Sequence, residues 1–538
     1  MRRYFKQEWK GIVLFTALLI LSRLALIQIA RYKGSIIDAA MGSKEIDITS
    51  QIVLFLLLIL LNIGVGYLFS LLRYRTIQRI LRQMREDIFQ KTLSQSRTSI
   101  RNLDRAQLIN KYTTELGIVE SNYLDIGGRV IEHFFVLLLS LAAMLLIDIQ
   151  ITLLAVIIYM APIVATKSQQ KKLSFAQKSY LEDAKTHVGK FMSYLKSLEL
   201  IKNYHIEQPV SRVYDSSLES LKDSALKRAR VQADINGLSM SLTFFAQGII
   251  ALFCAYQVYH GRLSVGGFVT IFSLSSTLSG PIYWLARLVE AVLSSRPAVR
   301  SVLDYIQEPT ETSPLAQTRG SALLEITDMD FAYDNTKILK QLALRVEANK
   351  KILIIGKSGS GKSTLMSLIM GYLLPQEGRI AYGAEQLEDL LCLSSQDSFL
   401  FEDSLDENLF CADADARRSM LARLGLQGIT ERQSGGLDLT EKGKNVSGGQ
   451  KKRIALCRSF LQKTPLLILD EPLANIDPEN IHLIEQTIAD MKDRSLILIS
   501  HQISDQLLQA MDEIYLLENA ALHSISRDTA KSYQGGAA

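Results

Sequence analysis

Between Lys351 and Leu365 the chain reads KILIIGKSGSGKSTL, a β-branched apolar run followed by a glycine-rich loop and the opening of a helix. Gly356, Gly361, Lys362 and Ser363 fill the pattern GxxxxGK[ST], with Ser358, Gly359 and Thr364 in or beside it. The glycines let backbone N–H groups curl around phosphate oxygens, while the Lys362 ammonium can reach the β and γ phosphates and the Ser363 hydroxyl can ligate Mg²⁺. The flanking strand and helix are the context this chemistry requires, so a nucleotide is the expected ligand.

Farther along, Asn445 to Arg453 reads NVSGGQKKR, and a second apolar run, LLILD, ends in the adjacent acids Asp470 and Glu471. Alone, Ser447-Gly448-Gly449-Gln450 is a glycine turn capping a helix, and two acids after a strand can be a helix N-cap pair. Set together after a phosphate loop, these segments resemble the nucleotide-binding domain of the ATP-binding cassette (ABC) transporters. The resemblance implies ATP and Mg²⁺ as cofactors, Asp470 as a Mg²⁺ ligand beside Ser363, and Glu471 as the general base. It further implies that Gln396, in SSQDSFLFEDSLDENLF, senses Mg²⁺, and that His501, after SLILIS, contacts the γ-phosphate and orients the water. Tyr333, in FAYDN, matches the aromatic residue that stacks on adenine, a strand aromatic in the core being the alternative. In this family Ser447 to Gln450 caps the nucleotide of the opposite subunit, which implies a dimer.

These residues must be positioned by a chain that is 48% apolar over 538 residues with a formal charge of +5. Such length and composition indicate a membrane part joined to a soluble part. Six apolar runs are candidate spans: Ile12 to Ile29, Ile52 to Leu72, Phe134 to Ile147, Ile149 to Ala165, Leu238 to Tyr259 and Val265 to Ala286. The first follows a basic N-terminus but is long, lacks a small-residue cleavage site and is followed by more spans, so it is not read as a signal peptide. Only Asp148 separates the third and fourth runs, and His260-Gly261-Arg262 the last two, so tight hairpins are expected there. The segment after the second span is rich in arginine and that after the fourth in lysine, which puts the long connections and the N-terminus in the cytoplasm. A nucleic-acid reading of the arginines fails because they continue directly from a hydrophobic span.

Helix-forming residues run from Gln51 to about Gln95, a helix of roughly 65 Å, about twice the hydrocarbon thickness. The stretch from Ile149 to about Lys196 behaves likewise. Such extensions resemble the exporter type of the family, whose coupling helices would lie near Arg97 to Asp104 and Ser197 to Tyr204. Glu308 to Ser321, polar and holding two prolines, reads as a linker. Beyond it strand-like and helical stretches alternate, and the last dozen residues read as frayed. The expected architecture is an all-α six-helix transmembrane domain over residues 1–305, a linker over 306–322, and an α/β P-loop NTPase domain over 323–538.

Cys254, Cys392, Cys411 and Cys457 show neither CxxC spacing nor a secreted framework, and the histidines are scattered, so no transition-metal site is expected. Three segments depart from the family pattern: Val446 before SGGQ, Ala474-Asn475-Ile476-Asp477, and Glu441-Lys442-Gly443. In the membrane part, Arg23 is costly unless paired or facing water. It either lines a substrate path, or snorkels or pairs with another helix, and Arg287 and Glu290 suggest a local ion pair. The whole implies a multi-pass half-transporter of the cell membrane with a cytoplasmic ATPase domain. It would pair with a second half, identical or not, and export an amphipathic peptide, lipid or drug-like molecule. Leader-peptide cleavage is not expected of it. An exporter-shaped importer of a siderophore or cofactor and a membrane ATPase gating a partner without moving cargo are the alternatives. A DNA-repair ATPase is disfavoured by the spans.

Overall fold

The computed structural model describes residues 1–42, 47–309, 320–334, 336–427, 439, 445–501 and 504–535. They form two compact units: Met1–Leu93 with Arg105–Glu308, and Ser94–Asp104 with Pro309–Ala538.

The first unit is all helix. Its long helices cover Trp9–Ala40, Ile48–Leu93, Ile149–Lys196, Glu207–Tyr259 and Val265–Ser294, with a further, irregular one running from Arg105 to Leu145. Among the described residues six helices are long and apolar enough to span a bilayer. The run from Phe134 to Ile147 is too short for a hydrocarbon core of about 30 Å. The chain makes up the length upstream, through two π-helical stretches, Lys111–Glu115 and Val119–Asp125, leading into helix Ile126–Leu145. At the first hairpin the Asp148 carboxylate accepts from the backbone N–H of Ile151 at 2.9 Å and starts the next helix. At the second, Gly261 takes a left-handed φ of 67° and Ser264 caps the helix that follows.

Helices Trp9–Ala40 and Val265–Ser294 meet through glycine. A Cβ on Gly266 would lie 2.1 Å from the carbonyl oxygen of Gly34, so neither position admits a side chain without the helices parting. The contact is fixed by Asp38, whose carboxylate accepts from the backbone N–H of Gly266 at 2.6 Å and the Ser264 hydroxyl at 2.8 Å. An acid at the first turn of the facing helix complements its dipole.

Arg23 is paired with another helix. Its guanidinium pairs with Glu132 at 2.5 Å, and it also lines a cavity between helices. Glu132 meets Arg73 at 3.7 Å, Arg73 meets Asp125 at 3.3 Å, and Asp125 meets Arg129 at 3.2 Å. The expected partner of Glu290 falls on Arg287, whose side chain lies outside the described residues. Within this unit Leu198–Asn203 forms a short helix between the fourth and fifth long helices.

The second unit is α/β. Strands β1 (Leu324–Tyr333), β2 (Thr336–Val346) and β4 (Glu377–Tyr382) make an antiparallel sheet in the order β2-β1-β4. Strands β3 (Lys351–Ile355), β5 (Leu391–Ser394), β6 (Leu466–Asp470), β7 (Ser495–Ile499), β8 (Glu513–Glu518) and β9 (Ala521–Ser524) make the other, in the order β5-β6-β7-β3-β8-β9. Every pairing in the larger sheet is parallel except β8 with β9. β3 and β7 are buried along their whole length, as a parallel strand covered on both faces must be. The short helix Arg97–Asn102 belongs to this unit: Arg97 donates to the Met370 carbonyl at 3.0 Å and pairs with Glu388 at 2.9 Å. The C-terminus differs from the frayed reading. Residues Arg527–Gly535 form a helix, because Ala530 is fully buried in the cassette core and Arg527 donates to the Met511 carbonyl.

Candidate active site

The four neighbouring strands β5, β6, β7 and β3 run the same way, so their C-terminal ends share one edge of the sheet. In open parallel sheets that edge is where ligands bind. Here it delivers Gln396 just after β5, Asp470 and Glu471 at the end of β6, Ser500 and His501 after β7, and the glycine loop after β3. All of them line one cavity of about 1090 Å³, together with Lys357, Ser358, Ser363, Thr364 and Tyr533.

The loop is shaped by glycine at two positions. Gly359 and Gly361 take φ of +80° and +104°, and a Cβ on Gly361 would also press the Ile338 side chain at 3.0 Å. The turn delivers helix Lys362–Ile369 N-terminus first to the cavity, where unpaired N–H groups and the dipole favour an anion. Lys362 is only 7% exposed, and its ammonium donates to the carbonyls of Gly356 at 2.7 Å and Lys357 at 2.8 Å. Burial lowers its pKa, against the opposing pull of Glu471 and Asp470.

The adjacent acids reach the same cavity because the strand ends in a left-handed residue. Successive side chains of a strand point to opposite faces, but Glu471 has φ 47° and its N–H bonds the Ile499 carbonyl of β7 at 2.9 Å. Both carboxylate oxygens of Glu471 are engaged. Gln396 Nε2 donates to Oε2 at 3.0 Å, and His501 Nε2 lies 3.1 Å from Oε1. Burial, then the Glu471 charge, pushes the Asp470 carboxyl above its ordinary pKa, while Lys452 and Lys362 oppose.

Two expected site elements lie outside this cavity. Tyr333 is not among its lining residues. Its hydroxyl accepts from Arg101 at 2.8 Å, with the guanidinium 5.5 Å from the ring centre, and it also bonds Thr364, which does line the cavity. Burial pushes the Tyr333 pKa up, but Arg101 and Thr364 outweigh it and the net shift is downward. Among the described residues, Ser447, Gly448, Gly449 and Gln450 do not line the cavity either. They open helix Gly448–Leu461 as a capping box: Gln450 N–H donates to the Ser447 hydroxyl at 3.2 Å, and Ser447 N–H to the Gln450 side-chain oxygen at 2.9 Å. Ser447 and Gly448 are exposed.

Sequence reasoning missed Lys452 and Tyr533. Lys452, two residues past SGGQ, is 5% exposed and its ammonium donates to the carbonyls of Gln396 at 2.8 Å and Ser395 at 3.2 Å. The KKR after the glycines was its only signal. Tyr533 enters on the C-terminal helix, and its buried hydroxyl has no hydrogen-bond partner among the described residues. Of the departures, Asn475 sits at φ 61°, a conformation asparagine tolerates better than most residues. Val446 packs partly buried against the core. Residues 441–443 lie outside the described residues.

A membrane-spanning helical unit joined to a phosphate-binding cassette with this edge defines an ATP-driven transporter. The family model for the ABC transporter transmembrane region matches residues 12–282, and that for ABC transporter matches residues 339–474. The chain belongs to the ABC transporter family, and it is a multi-pass membrane ATPase of the exporter type. It is 24% identical to the ATP-dependent lipid A-core flippase of Chromobacterium violaceum, an alignment covering 99% of this chain and 94% of that one. It is 23% identical to the putative multidrug export ATP-binding/permease protein YgaD of Bacillus subtilis, covering 98% and 96%. In fold it is similar to a bacterial Atm1-family ABC exporter solved with ATP bound, with a TM-score of 0.74 at 19% identity over 99% of both chains.

Proposed function

We propose that this chain is one half of a dimeric exporter that moves an amphipathic cargo outward across the cell membrane, with its N-terminus and cassette in the cytoplasm. The observation that carries the dimer is the capped, exposed N-terminus at Ser447, which serves none of its own cavity. Such a helix end attracts a phosphate only when a second cassette presents one. The names of the relatives, a lipid flippase and a multidrug exporter, support amphipathic cargo.

In the reaction the γ-phosphate lies against the loop amides, and Lys362 exchanges its loop carbonyls for phosphate oxygens. Glu471 takes a proton from water, and the water oxygen bonds to the γ-phosphorus. The bond to the β–γ bridging oxygen breaks, leaving ADP and phosphate. Gln396 and His501 hold the two Glu471 oxygens and so orient its carboxylate. The oxygen donors Ser363, Gln396 and Asp470 line the same cavity and suit a hard cation. Mg²⁺ held there would neutralise charge on the β and γ phosphates.

ATP turnover by the chain purified alone in lipid nanodiscs, beside Glu471→Gln, tests the reading. Turnover lost in the variant, with ATP still bound, supports a self-sufficient homodimer and Glu471 as the base. Nucleotide binding without turnover in the unmodified chain requires a different second half. Turnover without ATP-dependent flux of any amphiphile in inside-out vesicles refutes export.

A further inference from the structure

The cavity beside Arg23 is about 400 Å³, the size of a small-molecule site, and lies between helices Trp9–Ala40, Ile126–Leu145 and Val265–Ser294. Its walls are largely aliphatic, including Leu26, Ile29, Val136 and Leu139, and its polar groups include Arg23, Lys33, Glu132, His133 and three hydroxyl side chains. An apolar wall with a few charged groups suits an amphiphile. The charges decide which kind.

Among the described residues Glu132 is the one acid in the lining, and neither of its oxygens is free. Arg23 holds Oε1 at 2.5 Å and Arg73 faces Oε2 at 3.7 Å. Asp125, behind it, is shared by Arg73 and Arg129. Three guanidiniums therefore face two carboxylates, and the buried Arg23 Nε–H has no acceptor among the described residues. Lys33 is exposed and has no ion pair among the described residues. The acid nearest it along its helix, Asp38, is committed to Gly266 and Ser264. A cationic head group would meet no available carboxylate and a surplus of positive charge. An anionic one would meet an unpaired ammonium.

We propose that this cavity binds anionic amphiphiles, with the acidic head on Lys33 and the hydrocarbon along the aliphatic wall toward Arg23. Arg23 and Lys33 are ten residues apart on one helix, roughly 15 Å by helical rise, which matches the reach of a chain of about a dozen carbons. Arg23, locked to Glu132, sets the charge of the site, and Lys33 contacts the head. The inference deepens the export reading by naming the cargo class, and it rests on that reading only for the transport step.

The test uses the full chain in zwitterionic nanodiscs and four probes sharing a twelve-carbon tail: dodecyl phosphate, dodecanoate, dodecyltrimethylammonium and dodecyl maltoside. Binding is measured with labelled probe and corrected for partition into empty nanodiscs. Both anions are expected to bind at least about tenfold tighter than the cation, and Lys33→Glu to weaken them at least about tenfold, near 1.4 kcal/mol. Lys33→Arg is expected to keep the preference. Arg23→Gln strands Glu132 and can unfold the unit, so the exposed Lys33 carries the test. Phosphatidic acid placed in the bilayer, competing against dodecyl phosphate from solution, distinguishes a lipid source from a soluble one. Equal or tighter binding of the cation, or indifference to Lys33→Glu, overturns the proposal even where a neutral or cationic probe is exported. Anion binding without ATP-dependent flux leaves the proposal standing and refutes export instead.

Discussion

Lys452→Met tests whether the segment after SGGQ holds the catalytic loop in place. The ammonium is 5% exposed and is the charged donor to two loop carbonyls, those of Gln396 at 2.8 Å and Ser395 at 3.2 Å. Methionine keeps the length and apolar stem but leaves both carbonyls without that donor, at about 1–3 kcal/mol each. Relief of the buried charge, whose desolvation lowers the lysine pKa, returns part of this. A net loss of about 2–4 kcal/mol remains, and for a domain of this size it lowers the cassette melting midpoint by about 5–15 °C. Catalysis should suffer more than binding. The released backbone carries Gln396, which orients Glu471 from 3.0 Å, whereas the phosphate loop is untouched. A displacement near 1 Å costs on the order of 100-fold in turnover, while nucleotide affinity should stay within about threefold. Calorimetry of the full chain in nanodiscs gives the midpoint, and phosphate release with fluorescent-nucleotide titration gives the rest. Unchanged turnover with a midpoint within a degree of the parent would refute the clamp.

Other substitutions probe other parts of the chain. Because the folded-state pKa of Asp470 is raised, the folded chain holds a proton that the unfolded chain has already released, so stability of the nucleotide-free protein should fall as pH rises through that window. Asp470→Asn should flatten that slope and raise the neutral-pH melting midpoint while abolishing turnover, as a pH series of thermal scans and phosphate assays would show. Tyr533→Phe removes a buried hydroxyl facing the nucleotide cavity. It should weaken ATP by about two- to tenfold if that hydroxyl donates to the nucleotide, the range of one hydrogen bond, and calorimetric titration reads it. Gly266→Ala places a methyl 2.1 Å from the Gly34 carbonyl. It should destabilise the membrane unit by about 1–3 kcal/mol as an overpacked contact, measured by thermal denaturation in detergent, with ATP affinity unaltered.

What could be read from the sequence follows from the range of each interaction. The phosphate loop and the LLILD acids are contiguous strings whose function is local geometry, so residue type and spacing expose them. Hairpins at Asp148 and His260 were legible for the same reason, whereas the short helices Arg97–Asn102 and Leu198–Asn203 were expected only through the family resemblance. The Arg23–Glu132 pair joins residues 109 positions apart, and no local pattern marks it. The third span was read too short because its charged part, Asp125 to Glu132, looks too polar for a membrane until each charge is seen to have a partner. The C-terminal helix carries Thr, Ser and Gly, weak local helix signals, and is held by burial of Ala530 and the reach of Arg527, both long-range effects. Tyr333 reads as an adenine platform in the sequence, yet Arg101 already occupies one side of its ring.

Satisfied groups in the nucleotide cavity bear on how ATP use is tied to transport. Lys362 directs its ammonium to two loop carbonyls, and Glu471 has each oxygen engaged, one by Gln396 and one by His501. On the proposed roles a base held this way is oriented, and each oxygen keeps a second lone pair for a water. A nucleotide's phosphates outcompete neutral carbonyls for the Lys362 ammonium, because they add the attraction of opposite charges to the hydrogen bond, so binding alone can open the lysine. Nothing in that exchange positions Glu471. Its orientation depends on the loop after β5 and the segment after β7, and the loop is tied through Lys452 to the helix that begins at Ser447. On the proposed roles, a second nucleotide seated against that helix end fixes the element that holds Gln396, and with it the Glu471 carboxylate. On those proposed roles hydrolysis is conditional on closure of two cassettes, and a single cassette binds ATP without turning it over.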